Sequence, residues 1–431
     1  MKKEKFLIST IILIIGGALT KVFGIFIRII MTRIVGSEGI SLYMLIFPTF
    51  SLFMTLSQLG FPIAISKLIA EDNHNNKNII FSIIPFSLML NTLLILVIFI
   101  IAPTLSTKLL KDPRSYYPIL AIALVLPFDS LSSILRGYFF GKQKMLPHVI
   151  SNVFEQIVRL ILIILLVPRA LEKSLVFAVS LLVGVNIISE LSSSLILLLF
   201  FPRNAKITSS DIRPNVYNVK EVLRIALPTT MARLVGSIGY FFEPILITTA
   251  GVISGIGSNI LINDYGIVEG YVMPLLLLPG FFSNAISSAL LPVVTKAYYD
   301  KQIDYVKKKL KQAVFYSLLI GVPVTIILFI FPEFFLKLIY NTSYGVTYLR
   351  VVAPFFLIYY VQAPLASVLQ SINLSKYIML DNLVSIIIKS IIIFSCCFFW
   401  GIYGFLISIC SNILIVTILH YKHIKKALKQ A

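Results

Sequence analysis

Four cations stand in the middle of long apolar stretches of this chain, at Lys21, Arg159, Arg233 and Lys389. Each lies roughly 11 to 14 residues from one end of its stretch, about 16–21 Å along a helix at 1.5 Å per residue. That is too deep for the side chain to reach a headgroup easily. Charge inside a bilayer costs several kcal/mol and marks a pathway or a binding site. Converging cations in a medium of low dielectric would hold an anionic headgroup, and phosphate oxygens match guanidinium and ammonium donors well.

Spacing supports a shared face for the first and third of these. Gly17, Lys21, Gly24 and Arg28 follow each other at helical intervals, as do Arg233, Gly236, Tyr240 and Glu243. Internal neutralisation is the competing reading. Glu155 precedes Arg159 by one helical turn and can pair with it, and Asp129, Glu190, Glu243 and Glu269 could balance the other cations. Lys389 has Ser385 at the position matching Glu155, which leaves its charge less clearly balanced. Those four acids carry a second expectation. Within apolar helices they are costly to keep ionised, so they could exchange a proton or bind Na⁺ as access to them changes. Arg28, Arg136 and Arg350 lie nearer the ends of their stretches, where snorkelling to a headgroup is the simpler explanation.

The elements that position these residues follow from composition. The chain has 431 residues, 58% of them hydrophobic and 13% charged, with a mean hydropathy of +0.95. About twelve apolar runs are long enough for a bilayer core. They cover residues 7–34, 40–66, 79–107, 116–140, 149–168, 175–201, 222–249, 265–295, 312–337, 344–370, 377–399 and 401–420. None alternates with period two, so the expected fold class is an all-α integral membrane protein rather than a barrel.

Lys67 and Lys296, Pro103 and Pro332, and Lys108 and Lys337 recur at one fixed offset; Asn152 with Asn382 and Arg159 with Lys389 recur at nearly the same one. An ordered set of this kind predicts two parallel six-helix lobes around a central cavity. The expected organisation is an N-lobe over 1–201, a polar basic linker over 202–220 and a C-lobe over 221–431. The pseudo-two-fold would bring Lys21 to Arg233 and Arg159 to Lys389 across the cavity.

The formal charge of +19 is an orientation signal. Most Lys and Arg fall at one set of loops and ends, which places both termini in the cytoplasm of a multi-pass plasma-membrane protein. Nucleic acid is not the expected partner; anionic lipid headgroups are. The first apolar run continues past Gly16 and Gly17 through Lys21 and Arg28, and so reads as an uncleaved helix rather than a signal peptide. Cys396, Cys397 and Cys410 read as packing residues, and His74, His148, His420 and His423 fall at cytoplasmic ends, so no metal site and no cofactor are expected. No phosphate loop, metal-ligand motif or nucleophile elbow stands out, which points away from an enzyme.

Gly36-Ser-Glu-Gly39-Ile-Ser-Leu-Tyr43, Pro48, Gly60-Phe-Pro62-Ile-Ala64-Ile-Ser66-Lys67, and Met273-Pro274 through Ser287-Ser-Ala-Leu-Leu-Pro292 resemble the stage V sporulation protein B and polysaccharide-exporter branch of the multidrug/oligosaccharidyl-lipid/polysaccharide superfamily. The resemblance implies two lobes forming a V, with alternating access that carries a polyprenyl-pyrophosphate-linked saccharide from the inner to the outer leaflet. It also implies Lys21, Arg233 and Arg28 as cargo-binding positions, and cell-wall synthesis enzymes as partners. Two rivals stand beside it. An ion-coupled drug exporter would rely more on acids and aromatics than on symmetric cations. A membrane-embedded glycosyl- or phosphotransferase would need a catalytic carboxylate or histidine at a leaflet surface and a sizeable donor-binding loop.

Overall fold

A computed structural model describes residues 2–71, 76–201 and 215–430. Those residues are almost wholly helical, and the chain gathers into two compact units, Met1–Phe241 and Phe242–Ala431. The boundary falls inside one long helix. Residues 202–214 of the expected linker lie outside the described residues, and from Val216 onward the chain is helical.

The first unit is built from α1 (Lys2–Gln58), α2 (Phe61–Glu71), α3 (Asn76–Thr104), α4 (Tyr116–Gly141), α5 (Met145–Lys173) and α6 (Leu175–Leu199), together with the amino-terminal part of α7 (Val216–Ile253). The apolar run Gly16–Glu71 is 56 residues long, about 84 Å at 1.5 Å per residue and far more than one crossing. It is broken at Gly36, whose φ of 67° and ψ of −172° lie where only glycine is unstrained. Two passes therefore come from this one run. With the other ten runs that are long and apolar enough to cross a membrane among the described residues, the total matches the twelve-helix expectation.

A second interruption was not expected inside 40–66. Leu59 and Gly60 both have positive φ, and α2 restarts with Pro62 at its second position, where a missing N–H costs nothing. Gly60 is also a place of close approach. A Cβ built there would lie 2.5 Å from Thr229 Oγ1 and 3.0 Å from the Ala226 carbonyl oxygen of α7. Around this turn a core forms from Phe61, Ile65 and Ile69 of α2, Ile79 and Ile83 of α3, Ile134 and Phe139 of α4, and Val222 and Ala226 of α7.

The second unit continues α7 and adds α8 (Ser258–Ile267), α9 (Met273–Leu277), α10 (Gly280–Tyr299), α11 (Ile303–Ile330), α12 (Pro332–Tyr340), α13 (Val346–Ser371), α14 (Ser375–Trp400) and α15 (Ile402–Gln430). The stretch expected as one helix over 265–295 is interrupted. It passes through a wider π-helical turn at Val268–Val272 and restarts after Pro279. Tyr360 on α13 donates to the Leu276 carbonyl at 2.7 Å, satisfying a backbone oxygen near the interruption.

Candidate functional site

In the first unit, helical spacing puts Asp129, Ser132 and Arg136 on one face of α4 and Glu155 with Arg159 on one face of α5. Glu190 and Ser193 of α6 meet them. Arg136 Nη2 donates to Glu155 Oε2 at 2.6 Å, Glu190 Oε2 at 3.2 Å and Ser193 Oγ at 3.2 Å. Ser132 Oγ donates to the same Glu190 oxygen at 2.6 Å. Arg159 Nη2 donates to Glu155 Oε1 at 2.8 Å and stands 3.9 Å from Glu190 Oε1. Glu155 and Glu190 are each 4% exposed and the Arg136 side chain 17%, so the cluster is largely shielded from solvent.

Asp129 is the odd member. It is 1% exposed, and its Oδ1 accepts from Gln58 Nε2 at 3.1 Å. Its Oδ2 has no hydrogen-bond partner among the described residues. Gln58, the last residue of α1, also accepts from Arg233 Nη2 of α7 at 3.4 Å. Nearby, Ser57 Oγ donates to Asn91 Oδ1 at 2.7 Å and to the Leu126 carbonyl at 2.9 Å, tying α1 to α3 and α4 beside Gln58.

The expected cations divide into two kinds. Arg159 is held by Glu155, the structural alternative weighed for it from sequence. Lys389, the least clearly balanced in sequence, is an ion pair in the second unit: its Nζ lies 2.5 Å from Glu243 Oε1 and 5.6 Å from the centre of the Phe405 ring. Glu243 is accordingly a counter-ion there. Lys21 and Arg233 are exposed, and neither has a carboxylate partner among the described residues. A Cβ added at Gly17, Gly24 or Gly236 would meet no heavy atom within 4 Å, so the face bearing these cations is open. Arg28 is half-buried and turns its Nη2 to Met44 Sδ at 3.3 Å, folding back on the second pass of α1. Glu269 is half-buried inside the π-helical turn.

Arg136 corrects the sequence reading. It does not snorkel; it is the central cation of the buried cluster, because two carboxylates from neighbouring helices require a shared counter-charge there. Its spacing of seven residues from Asp129, which puts both on one helix face, was the available signal. Gln58 was missed altogether, since an amide at a helix end carries no charge pattern to notice.

Among the described residues no group of three His, Cys, Asp or Glu side chains is arranged to hold a metal ion. Asp381 and His423 do meet, at 3.0 Å, with His420 Nε2 3.7 Å away.

The family described as "Polysaccharide biosynthesis protein" matches residues 6–298. Stage V sporulation protein B of Bacillus subtilis (strain 168) is 35% identical over 440 residues, which span 99% of this chain and 85% of that relative. This chain belongs to the polysaccharide-exporter branch of the multidrug/oligosaccharidyl-lipid/polysaccharide superfamily. Other members are more distant. The lipid II flippase MurJ of the same organism is 21% identical over 418 residues, covering 90% of this chain and 77% of its own length. The MatE family matches residues 268–395. An inward-facing structure of a multidrug resistance MATE family transporter of the superfamily superposes with a TM-score of 0.73 at 18% identity, over 96% of each chain. That likeness concerns the fold. The chain is thus a multi-pass membrane transporter of this superfamily.

Proposed function

We propose that this transporter flips a polyprenyl-pyrophosphate-linked saccharide, a peptidoglycan precursor or a related oligosaccharide, from the inner to the outer leaflet by alternating access. The observation that carries the reading is the division among the membrane cations. Arg136, Arg159 and Lys389 are bound by carboxylates, whereas Lys21 and Arg233 are exposed at membrane depth without one. An unbalanced cation at that depth is costly, and an anionic ligand would offset the cost. A pyrophosphate diester carries one charge on each phosphate, enough for two cations. The likeness to a lipid II flippase supports a lipid-linked cargo, and the match to the polysaccharide biosynthesis family supports a saccharide. Both termini lie in the cytoplasm in this reading, the membrane is the bacterial plasma membrane, and a proton or Na⁺ at the buried acids supplies the coupling.

The test is reconstitution in liposomes with a fluorescent undecaprenyl-pyrophosphate-linked sugar, scoring its exposure in the far leaflet. Lys21→Ala/Arg233→Ala should insert and fold normally yet lose movement. Transport at the wild-type rate in that variant would sink the assignment. Drug efflux without any lipid movement would replace this reading with that of a small-molecule exporter.

A further inference from the structure

The buried cluster of the first unit sets three carboxyls, Asp129, Glu155 and Glu190, against two guanidiniums, Arg136 and Arg159. Both guanidiniums are engaged by the two glutamates, and neither forms an ion pair with Asp129. The one bond described for Asp129 comes from the Gln58 amide, and its second oxygen is buried with no partner among the described residues. A carboxylate so placed, beside two others, is the surplus charge of the cluster, and one proton removes it. The charges that act on it are Glu190 of α6, Arg136 of α4 and Glu155 of α5. Arg159 lies one bond further off through Glu155, and Arg233 of α7 reaches it through Gln58. His148 of α5 meets Asn152 of its own helix at 3.3 Å.

Gln58 touches both ends of this arrangement. Its Nε2 donates to Asp129 Oδ1 and its Oε1 accepts from Arg233 Nη2. The two partners fix the amide's orientation, because the flipped form would set NH₂ against a guanidinium and oxygen against a carboxyl. We propose that Gln58 is a positioning residue that links the grip of Arg233 on an anionic headgroup to one exchangeable proton on Asp129. The inference rests on the role given to Arg233 above. With Asp129 protonated, the amide is weakly polarised and Arg233 is free to engage the anion. When the Asp129 O–H bond breaks and the proton passes to water, the carboxylate pulls on Nε2 and polarises the amide. The bond from Arg233 to Oε1 then strengthens, and the guanidinium is withdrawn from the anion. By linkage, an anion on Arg233 favours the protonated Asp129 to the same degree.

The experiment uses the full chain in nanodiscs and two readouts. The first needs no cargo: the infrared band of a protonated carboxyl, followed across pH. Asp129→Asn should abolish one such band. Gln58→Leu and the exposed-site variant Arg233→Gln should each let it persist to higher pH, by about half to one pH unit, because a bond stabilising the carboxylate is gone. The second readout is affinity for a short-chain polyprenyl-pyrophosphate-linked N-acetylglucosamine, whose phosphates do not titrate between about pH 5.5 and 8.5. Wild-type affinity should weaken as pH rises through the Asp129 titration, by about three- to tenfold in all, the same coupling that a shift of half to one pH unit expresses. In Asp129→Asn and in Gln58→Leu the affinity should be flat with pH. A band that titrates identically in wild type, Gln58→Leu and Arg233→Gln overturns the link, whatever the probe does. A band that moves as expected beside a probe that never binds upholds the link and overturns the cargo reading instead.

Discussion

Replacing Arg136 by methionine removes charge at nearly constant volume, so its effect isolates the electrostatics of the buried cluster. In wild type this guanidinium bonds Glu155 at 2.6 Å, Glu190 at 3.2 Å and Ser193 at 3.2 Å. Without it Glu190 keeps Ser132 and an Arg159 contact of 3.9 Å, and stands beside the carboxyl of Glu155. Stranding a buried ion-pair partner costs about 3–5 kcal/mol. Arg159→Met should cost less, about 1–2 kcal/mol, because Glu155 retains Arg136. Adding Glu190→Gln to Arg136→Met leaves the Glu155–Arg159 pair, which is neutral as a unit, and should recover at least half of the loss. The assay is reversible unfolding of the purified chain in mixed micelles against denaturing detergent. A cost below about 1 kcal/mol for Arg136→Met, or a double variant less stable than the single one, would refute the account of the cluster.

Three further outcomes are expected. Lys389→Met should destabilise by about 3–5 kcal/mol, and Lys389→Met/Glu243→Gln by much less, in the same unfolding assay. Gly60→Ala should cost more than the about 1–3 kcal/mol of positive-φ strain alone, because a Cβ there also meets Thr229 and Ala226, so a loss under about 1 kcal/mol would contradict the close approach. Orientation is checked by single cysteines in a cysteine-free background: with the amino terminus cytoplasmic, the end of α7 lies outside and the basic start of α11 inside, so an impermeant maleimide should label Lys307→Cys from the cytoplasmic side only and Ser254→Cys from the other, and the reverse pattern would overturn that orientation.

The helical passes were legible because apolar length is a local property, read one stretch at a time. The breaks were less so. Gly36 and Gly60 look like ordinary glycines of a membrane helix, and what sets them apart is a backbone angle and, for Gly60, a neighbour on α7. The ion pairs divide in the same way. Glu155 with Arg159 is a one-turn pair that spacing alone announces. Glu190 with Arg136, and Glu243 with Lys389, join helices that are separated in sequence, and no periodicity encodes which helices touch. The repeat relating Arg159 to Lys389 concealed a difference. One draws its acid from its own helix and the other from α7.

The pairing pattern also bears on how the chain enters the membrane. A lone charge at the centre of an inserting helix costs about 2.5–3.5 kcal/mol. Arg136, on α4, precedes both of its acids in the order of synthesis, and α5 arrives carrying its own pair. When α6 follows with Glu190, the counter-charge is already in place. In the second unit the order is reversed. Glu243 emerges with α7, and the lysine that neutralises it is not translated until α14. Between the synthesis of α7 and that of α14, Glu243 therefore lacks the lysine with which it is paired in the folded chain.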